Sequence, residues 1–345
     1  MAGQCALPIP TTVIFPMLLE RPRRNRKTAA IRSLVAETTL QADDLILPLF
    51  LIEGENTREK ITLMPGIHRL SIDLALLEIE ELQKKGLVAV ALFPHIDPSL
   101  KDDRGTYALQ KEGLIPRAIR AIKQKLPTIC VISDIALDPF TAHGHDGIVL
   151  GNDVDNEMTV EVLQKMACIH AECGADMVAP SDMMDGRILR IREALDQKGF
   201  LQTGILAYSA KYASSLYAPF REAVGSSLRF GDKKTYQMNP ANRKEALREA
   251  LLDEKEGADI LMVKPALFYL DVIQTLKAHT TLPICAYHVS GEYAMVIAAE
   301  ERGMLNGDAV LYESLLSIKR AGADCIITYA TKRLLDSNLW PQKSL

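Results

Sequence analysis

Eight short apolar runs, each followed by a segment of helical character, constrain this chain more than any other feature. They are LILPLFLIE (45–53), LVAVALFP (87–94), TICVISDIA (128–136), ADMVAPSD (175–182), TGILAYSAK (203–211), ADILMVKPA (258–266), LPICAYHVSG (282–291) and ADCIITYA (323–330). Runs of this length suit strands buried on both faces, as in a parallel sheet. The intervening DLALLEIEELQKKG (73–86) and MTVEVLQKMACIHAECG (158–174) carry apolar residues at three- and four-residue spacing and end on Gly, which predicts amphipathic helices. Gly-Ala-Asp opens three of the runs, at Gly174–Asp176, Gly257–Asp259 and Gly322–Asp324. The glycine stops a helix in the left-handed conformation and the next residues start a strand, so the tripeptide is a faint internal repeat. Eight β-then-α units at a spacing of roughly 40 residues, without a linker, predict an α/β fold of the (β/α)8 TIM-barrel type. A doubly wound open sheet is the alternative, but no G-x-G-x-x-G follows an early strand.

Two segments exceed a minimal barrel. Residues 1–40 precede the first strand and form an extended N-terminal arm, leaving 41–345 as the barrel domain. Residues 217–239, YAPFREAVGSSLRFGDKKTYQMN, follow the fifth strand and are rich in Gly, Ser and charge. A long, weakly periodic loop at that rim is expected to be a lid. The N-terminus is broken by Pro8, Pro10 and Pro16 and lacks a basic leader, so no signal peptide is expected. No apolar run reaches the length of about 18 residues that suggests a membrane span. A net charge of −4 gives no push toward nucleic acid, and the one basic block, RPRRNRK (21–27), reads as a solvated or inter-subunit arm, with a nucleic-acid patch as the alternative. Six cysteines without C-x-x-C spacing fit reduced thiols in a cytoplasmic protein.

In a barrel of this type the active site lies at the C-terminal strand ends. The residues expected there are Ser133 and Asp134, Ser181 and Asp182, Ser209 and Lys211, Lys264, His288 and Ser290, and Tyr329. Lys211 and Lys264 end adjacent strands, and two ammonium groups brought close and partly desolvated each favour the neutral amine. A neutral amine attacks a ketone to give a Schiff base; the bland alternative is a lysine paired with a carboxylate. SDIALDPFTAHGHDG (133–147) places Asp134, Asp138, His143, His145 and Asp146 in one turn-rich segment, either a metal or substrate loop or a loop held by its own hydrogen bonds. In APSDMMDGR (179–187), Asp182 is a candidate helix cap and Asp185-Gly186 a turn. Arg221, Lys233 and Lys234 in the lid are either a carboxylate clamp or solvated.

YSAKYASSLYAPFR, LMVKPA, APSDMMDGR, DPFTAHGHDG, TYQMNPANR and YHVSGEY together closely resemble the porphobilinogen synthase (5-aminolevulinate dehydratase) family, from roughly residue 15 to the C-terminus. The resemblance implies a (β/α)8 barrel whose arm grips a neighbour in a homo-octamer. It implies condensation of two 5-aminolevulinate molecules to porphobilinogen, with loss of two waters, early in haem and tetrapyrrole biosynthesis. By resemblance Lys264 is the principal Schiff-base lysine and Lys211 its partner. Arg221, Lys233 and Gln237 hold one substrate carboxylate, and Ser290 and Tyr329 the other. Asp134 and Ser181 lie near the substrate amino group and the first lysine. Lys233 stands where some members carry Arg, so its grip is a point charge.

Zinc-dependent members carry cysteines at the positions of Ala136, Asp138 and Asp146. Their absence argues against a catalytic Zn2+, because carboxylates suit hard ions such as Mg2+. The chain therefore resembles the aspartate-type members, with Asp138 and Asp146 as candidate ligands of an active-site ion. Glu249 matches the allosteric Mg2+ ligand, and a monovalent cation is compatible with the resemblance. Three other readings compete: a one-lysine Schiff-base aldolase, an idle barrel used as a scaffold, and a metal hydrolase built on the HGHD loop.

Overall fold

The computed structural model describes residues 18–337. The chain divides at Thr39/Leu40 into two units. In the N-terminal unit the basic run forms an exposed 3-10 turn, Pro22–Arg26. A short helix, Ala29–Leu34, follows and is capped by Thr28, whose hydroxyl accepts from Ile31 N at 3.2 Å. The first part of the expected arm, residues 1–17, lies outside the described residues.

The second unit is the barrel. Its strands are β1 (Leu45–Leu51), β2 (Ala89–Pro94), β3 (Cys130–Ile135), β4 (Met177–Pro180), β5 (Gly204–Lys211), β6 (Ile260–Lys264), β7 (Ile284–His288) and β8 (Cys325–Thr328). Among the described residues these eight strands pair in chain order, all parallel. β8 then pairs back to β1 through Leu45↔Ile326 and Ile46↔Ile327. That closure rules out the open sheet. Almost every strand residue is buried, which is why the runs are continuous and do not alternate. Helices Ile72–Gln83 and Asn156–Glu172 occupy the segments whose spacing predicted them. A small antiparallel hairpin, Arg58–Lys60 with His68–Leu70, extends the sheet beside β1.

The Gly-Ala-Asp repeat is a brace. Gly174, Gly257 and Gly322 take φ of 100°, 104° and 120°, which a Cβ would strain. Each aspartate then grips one residue at the start of the preceding strand from both sides. Asp176 N donates to Val131 O at 3.0 Å while its Oδ2 accepts from Val131 N at 2.7 Å. Asp259 does the same with Ile205 (2.9 and 2.7 Å), and Asp324 with Ile284 (2.7 and 2.8 Å). The repeat therefore stitches β3 to β4, β5 to β6 and β7 to β8 at the pole opposite the mouth, the end of such barrels associated with stability.

The expected lid is more ordered than its composition suggests. It opens with a helix, Ala218–Val224, bearing Pro219 in its first turn and ending on Gly225 at φ 66°. Two turns are too short for a periodic signal. The described cysteines are free thiols, and no helix among the described residues is long and apolar enough to cross a membrane.

Candidate active site

Lys211 and Lys264 are the last residues of β5 and β6 and are register partners. The pairing depends on an irregularity. Leu261 pairs with Ala207 and Val263 with Ala210, so β5 holds one more residue than β6 across that interval. Such a bulge re-aims the side chains beyond it. Both amines line one narrow cleft together with Asp134, Asp146, Arg221 and Gln237. The Lys264–Pro265 peptide bond is cis.

The two lysines have opposite surroundings. Lys211 Nζ donates to Asp146 Oδ2 at 3.2 Å and to the Ser181 carbonyl. Lys264 is 5% exposed, and no carboxylate among the described residues lies within ion-pair distance of its Nζ. Its amine sits instead among four rings, with centroids at 4.4 Å (Tyr287), 4.9 Å (Phe220), 5.1 Å (Tyr208) and 5.2 Å (Tyr217). Burial, and then the charge of Lys211, lower its pKa to about 7. One lysine is thus held against a carboxylate, and the other is set up as an amine.

Asp146 organises the acid loop. Its carboxylate accepts from Lys211, from Lys233 Nζ at 2.6 Å and from Gln237 Nε2 at 3.4 Å. Burial alone would raise this carboxyl, but Lys211 and Lys233 outweigh it and hold it well below the usual range. Asp134 is the contrast. Burial and the neighbouring Asp138 push it up to about 7, and its Oδ1 has no hydrogen-bond partner. Asp138 lies 3.8 Å from Lys233 Nζ.

The two histidines of the HGHD loop are held by hydrogen bonds. His145 meets Tyr236 Oη at 3.1 Å and the Phe230 carbonyl at 3.2 Å, both in the lid. His143 meets the Asp103 carbonyl at 3.2 Å. Among the described residues no group of three His, Cys, Asp or Glu side chains is placed to hold a metal ion. Both Asp146 oxygens are taken by cations, so this loop does not present a metal cage.

Arg221 lines the cleft, and its guanidinium makes no ion pair or hydrogen bond among the described residues. Ser290 and Tyr329 are not among the cleft's lining. Ser290 Oγ accepts from Phe220 N at 3.1 Å and donates to the Leu216 carbonyl at 3.2 Å, docking the lid helix. A Cβ on the adjacent Gly291 would lie 2.6 Å from the same Leu216 carbonyl. Tyr329 shares a hydrogen bond with Tyr287 (Oη to Oη, 2.8 Å) and lines a separate, larger cavity with Arg58, His68 and Arg333. His288 is buried outside the cleft, with Nδ1 on Thr328 Oγ1 at 3.0 Å. Asp182 flanks buried Arg187 at 3.6 Å, and Asp253 flanks it at 3.5 Å. Glu249 opens onto another cavity with Asp185 and Glu245, and burial followed by Asp253 raises its pKa.

Besides the bulge, two features are not readable from the sequence. One is the aromatic box, whose rings come from β5, β7 and the lid. The other is the clamp on the lid helix: Arg69 donates to the Ala223 carbonyl at 2.7 Å and the Glu222 carbonyl at 2.6 Å, and Lys101 to the Gly225 carbonyl at 2.7 Å. Cations at a helix C-terminus satisfy its free carbonyls and complement its dipole.

A closed parallel barrel with a polar, lidded cleft at its C-terminal mouth defines a (β/α)8-barrel enzyme. The family model described as delta-aminolevulinic acid dehydratase matches residues 19–337, and the chain belongs to that family. Delta-aminolevulinic acid dehydratase of Chlamydia pneumoniae is 55% identical over 319 residues, 92% of this chain and 96% of that relative. The enzyme of that name from Bradyrhizobium diazoefficiens is 53% identical over 310 residues, 90% of this chain and 88% of the relative. A solved structure of the Toxoplasma gondii ME49 enzyme (porphobilinogen synthase), in complex with its reaction product porphobilinogen, matches with TM-score 0.90 at 48% identity, covering 92% of this chain and 91% of that one.

Proposed function

We propose that this chain condenses two molecules of 5-aminolevulinate into porphobilinogen, with loss of two waters, through Schiff bases on Lys264 and Lys211. The observation that carries the reading is the pair itself. A desolvated amine with pKa about 7 stands in register with an ion-paired lysine, in one cleft, in a chain of this family.

Each amine adds to a substrate ketone and expels water, leaving an imine. The imine acidifies the neighbouring carbon, and loss of that proton gives an enamine that attacks the second substrate. Attack on the second imine carbon, followed by elimination, expels one lysine. Addition of the second substrate's amino group to the first imine carbon closes the ring's C–N bond and expels the other, in either order, and loss of a ring proton completes the pyrrole. Asp134 is the carboxyl suited to move these protons, with a free oxygen and a pKa near neutrality. Asp146 is occupied as a counter-charge. Holding both substrates removes much of the entropy cost of joining them.

The free guanidinium of Arg221, with Lys233 and Gln237 beside it, receives one substrate carboxylate; an arginine fork suits that geometry. Ser290 and Tyr329 receive the other, Ser290 turning its O–H from the Leu216 carbonyl and Tyr329 its O–H from Tyr287, while Ser290 Oγ keeps the Phe220 N–H. Ser181 lines the cleft near the amino group of the first substrate.

Glu249 is one ligand of a regulatory Mg2+ in this reading; the acidic cavity it shares with Asp185 and Glu245 does not gather three carboxylates around one point, so water would complete the ion's shell. The acid loop does not fit a catalytic metal, and no step runs through one. The arm packs on a neighbour in a homo-octamer, and the protein is cytoplasmic, with neither nucleic acid nor membrane as partner.

Borohydride trapping with 5-aminolevulinate, followed by peptide mass mapping, tests the function. A substrate-sized adduct on Lys264, and a second on Lys211, is expected. Folded protein that yields neither adduct refutes the mechanism.

A further inference from the structure

Phe220 belongs to the lid helix, yet its ring reaches into the barrel mouth. It meets Phe93 edge-on at 5.3 Å and Phe50 at 5.7 Å, and its centroid lies 4.9 Å from Lys264 Nζ. Its backbone N–H is held by Ser290 Oγ, just past the end of β7. The box around Lys264 therefore has two kinds of wall. Tyr208 and Tyr287 stand on β5 and β7 and stay with the barrel. Phe220 comes from the lid helix, and Tyr217 from the turn before it, with its Oη donating to the Lys264 carbonyl at 3.2 Å.

We propose that Phe220 is the residue through which the lid governs the nucleophile: with the lid down its ring completes the water-excluding box and Lys264 is a free amine, and with the lid lifted Lys264 is a solvated ammonium. The inference rests on the Schiff-base reading and adds to it a switch on lysine chemistry. Desolvation disfavours the charged lysine, whereas ring faces attract cations, so the two effects oppose. Burial is the largest influence on Lys264 and lowers its pKa, so exclusion of water wins before substrate binds. The other groups facing it are Lys211 from β5, which lowers it, and Asp134, Asp138 and Asp146, from the end of β3 and the loop after it, which raise it. Tyr208, Tyr217 and Tyr287 are held neutral by their own burial. Once an imine forms, the same rings face a delocalised cation that needs less hydration than an ammonium. The lid thus makes the amine reactive only in the arrangement that also encloses the substrate.

The test compares the full-length parent with Phe220→Ala. Lys264 is labelled with acetic anhydride across neutral and alkaline pH, without substrate, and the labelled peptide is quantified by mass spectrometry. The half-labelling pH is expected to rise by about one unit or more, a roughly fivefold or greater loss of free amine at about pH 7. The trapping rate with 5-aminolevulinate should fall in parallel and recover at high pH. A half-labelling pH equal to the parent's overturns the inference. If Phe220→Ala does not fold, Arg69→Gln loosens the lid helix from its far end, with the same expected rise and the same overturning result. Absence of any substrate adduct in the parent would instead sink the Schiff-base reading, and the labelling without substrate still reads the lid.

Discussion

Lys211 and Lys264 face each other across β5 and β6 because one extra residue in β5 advances the register by a position. In an unbroken register Val263 would pair with Ser209, and Lys264 with Ala210. The lysines gain mutual proximity from this one irregularity, and their contrasting partners then divide their roles.

Removing the Lys211 charge should make Lys264 a stronger base. Lys211→Met is expected to move the half-labelling pH of Lys264 upward, because a nearby cation disfavours a second one. An unchanged midpoint would show that burial alone sets the amine.

Activity should rise with pH through about 7. In the proposed mechanism Lys264 acts neutral and Asp134 ionised, and both have pKa values of about 7, so kcat/KM should fall steeply on the acid side. The same depressed amine weakens the fold below its ordinary pKa of about 10.4, where the unfolded chain binds a proton that the native site resists. Stability should therefore climb from about pH 7 to about pH 10 in the parent. Lys264→Met should remove that slope and gain on the order of 2 kcal/mol in urea melts at neutral pH.

Asp146 has the opposite sign. Its carboxyl is depressed, so its contribution is present above the ordinary aspartate value of about 3.9 and is lost as pH falls below it toward the native value. Asp146→Asn leaves two buried ammonium groups without their shared counter-charge, a change expected to cost about 3–5 kcal/mol. Urea denaturation should also show a flatter acid limb; an unaltered limb would assign it to other carboxylates.

Arg69→Gln should loosen the lid without touching the cleft. The expected readout is faster amide exchange over residues 218–226 and a raised KM for 5-aminolevulinate, with barrel strands still protected. Equal exchange in parent and variant would refute the clamp.

If Glu249 holds Mg2+ as proposed, Mg2+ should raise the parent's melting temperature and Glu249→Gln should abolish that rise, while leaving Lys264 trapping in place. A retained Mg2+ effect would move the ion elsewhere.

The barrel is legible in the sequence because parallel strands, buried on both faces, leave apolar runs of fixed length. Lys211 and Lys264 are legible as strand-end residues on neighbouring strands. The bulge is not, since a one-residue register shift leaves no compositional mark. Nor is the aromatic box, because Tyr208, Tyr217, Phe220 and Tyr287 look like ordinary core residues until the fold gathers them around one amine. Asp146 reads as a candidate metal ligand, and only its contact with Lys233 of the lid reveals it as a counter-charge.

The aspartate braces imply an order of assembly. Asp176, Asp259 and Asp324 each clasp a partner 45, 54 or 40 residues earlier, so three strand pairs form from contacts of moderate range. The β8–β1 seam joins the two ends of the unit through a short stretch of register and, among the described residues, has no such clasp. Distant contacts carry the larger loop-closure cost, so the ring should zip as preassembled pairs and seal last at that seam. Native-state exchange would read this as earlier opening at Leu45 and Ile46 than at Ile205.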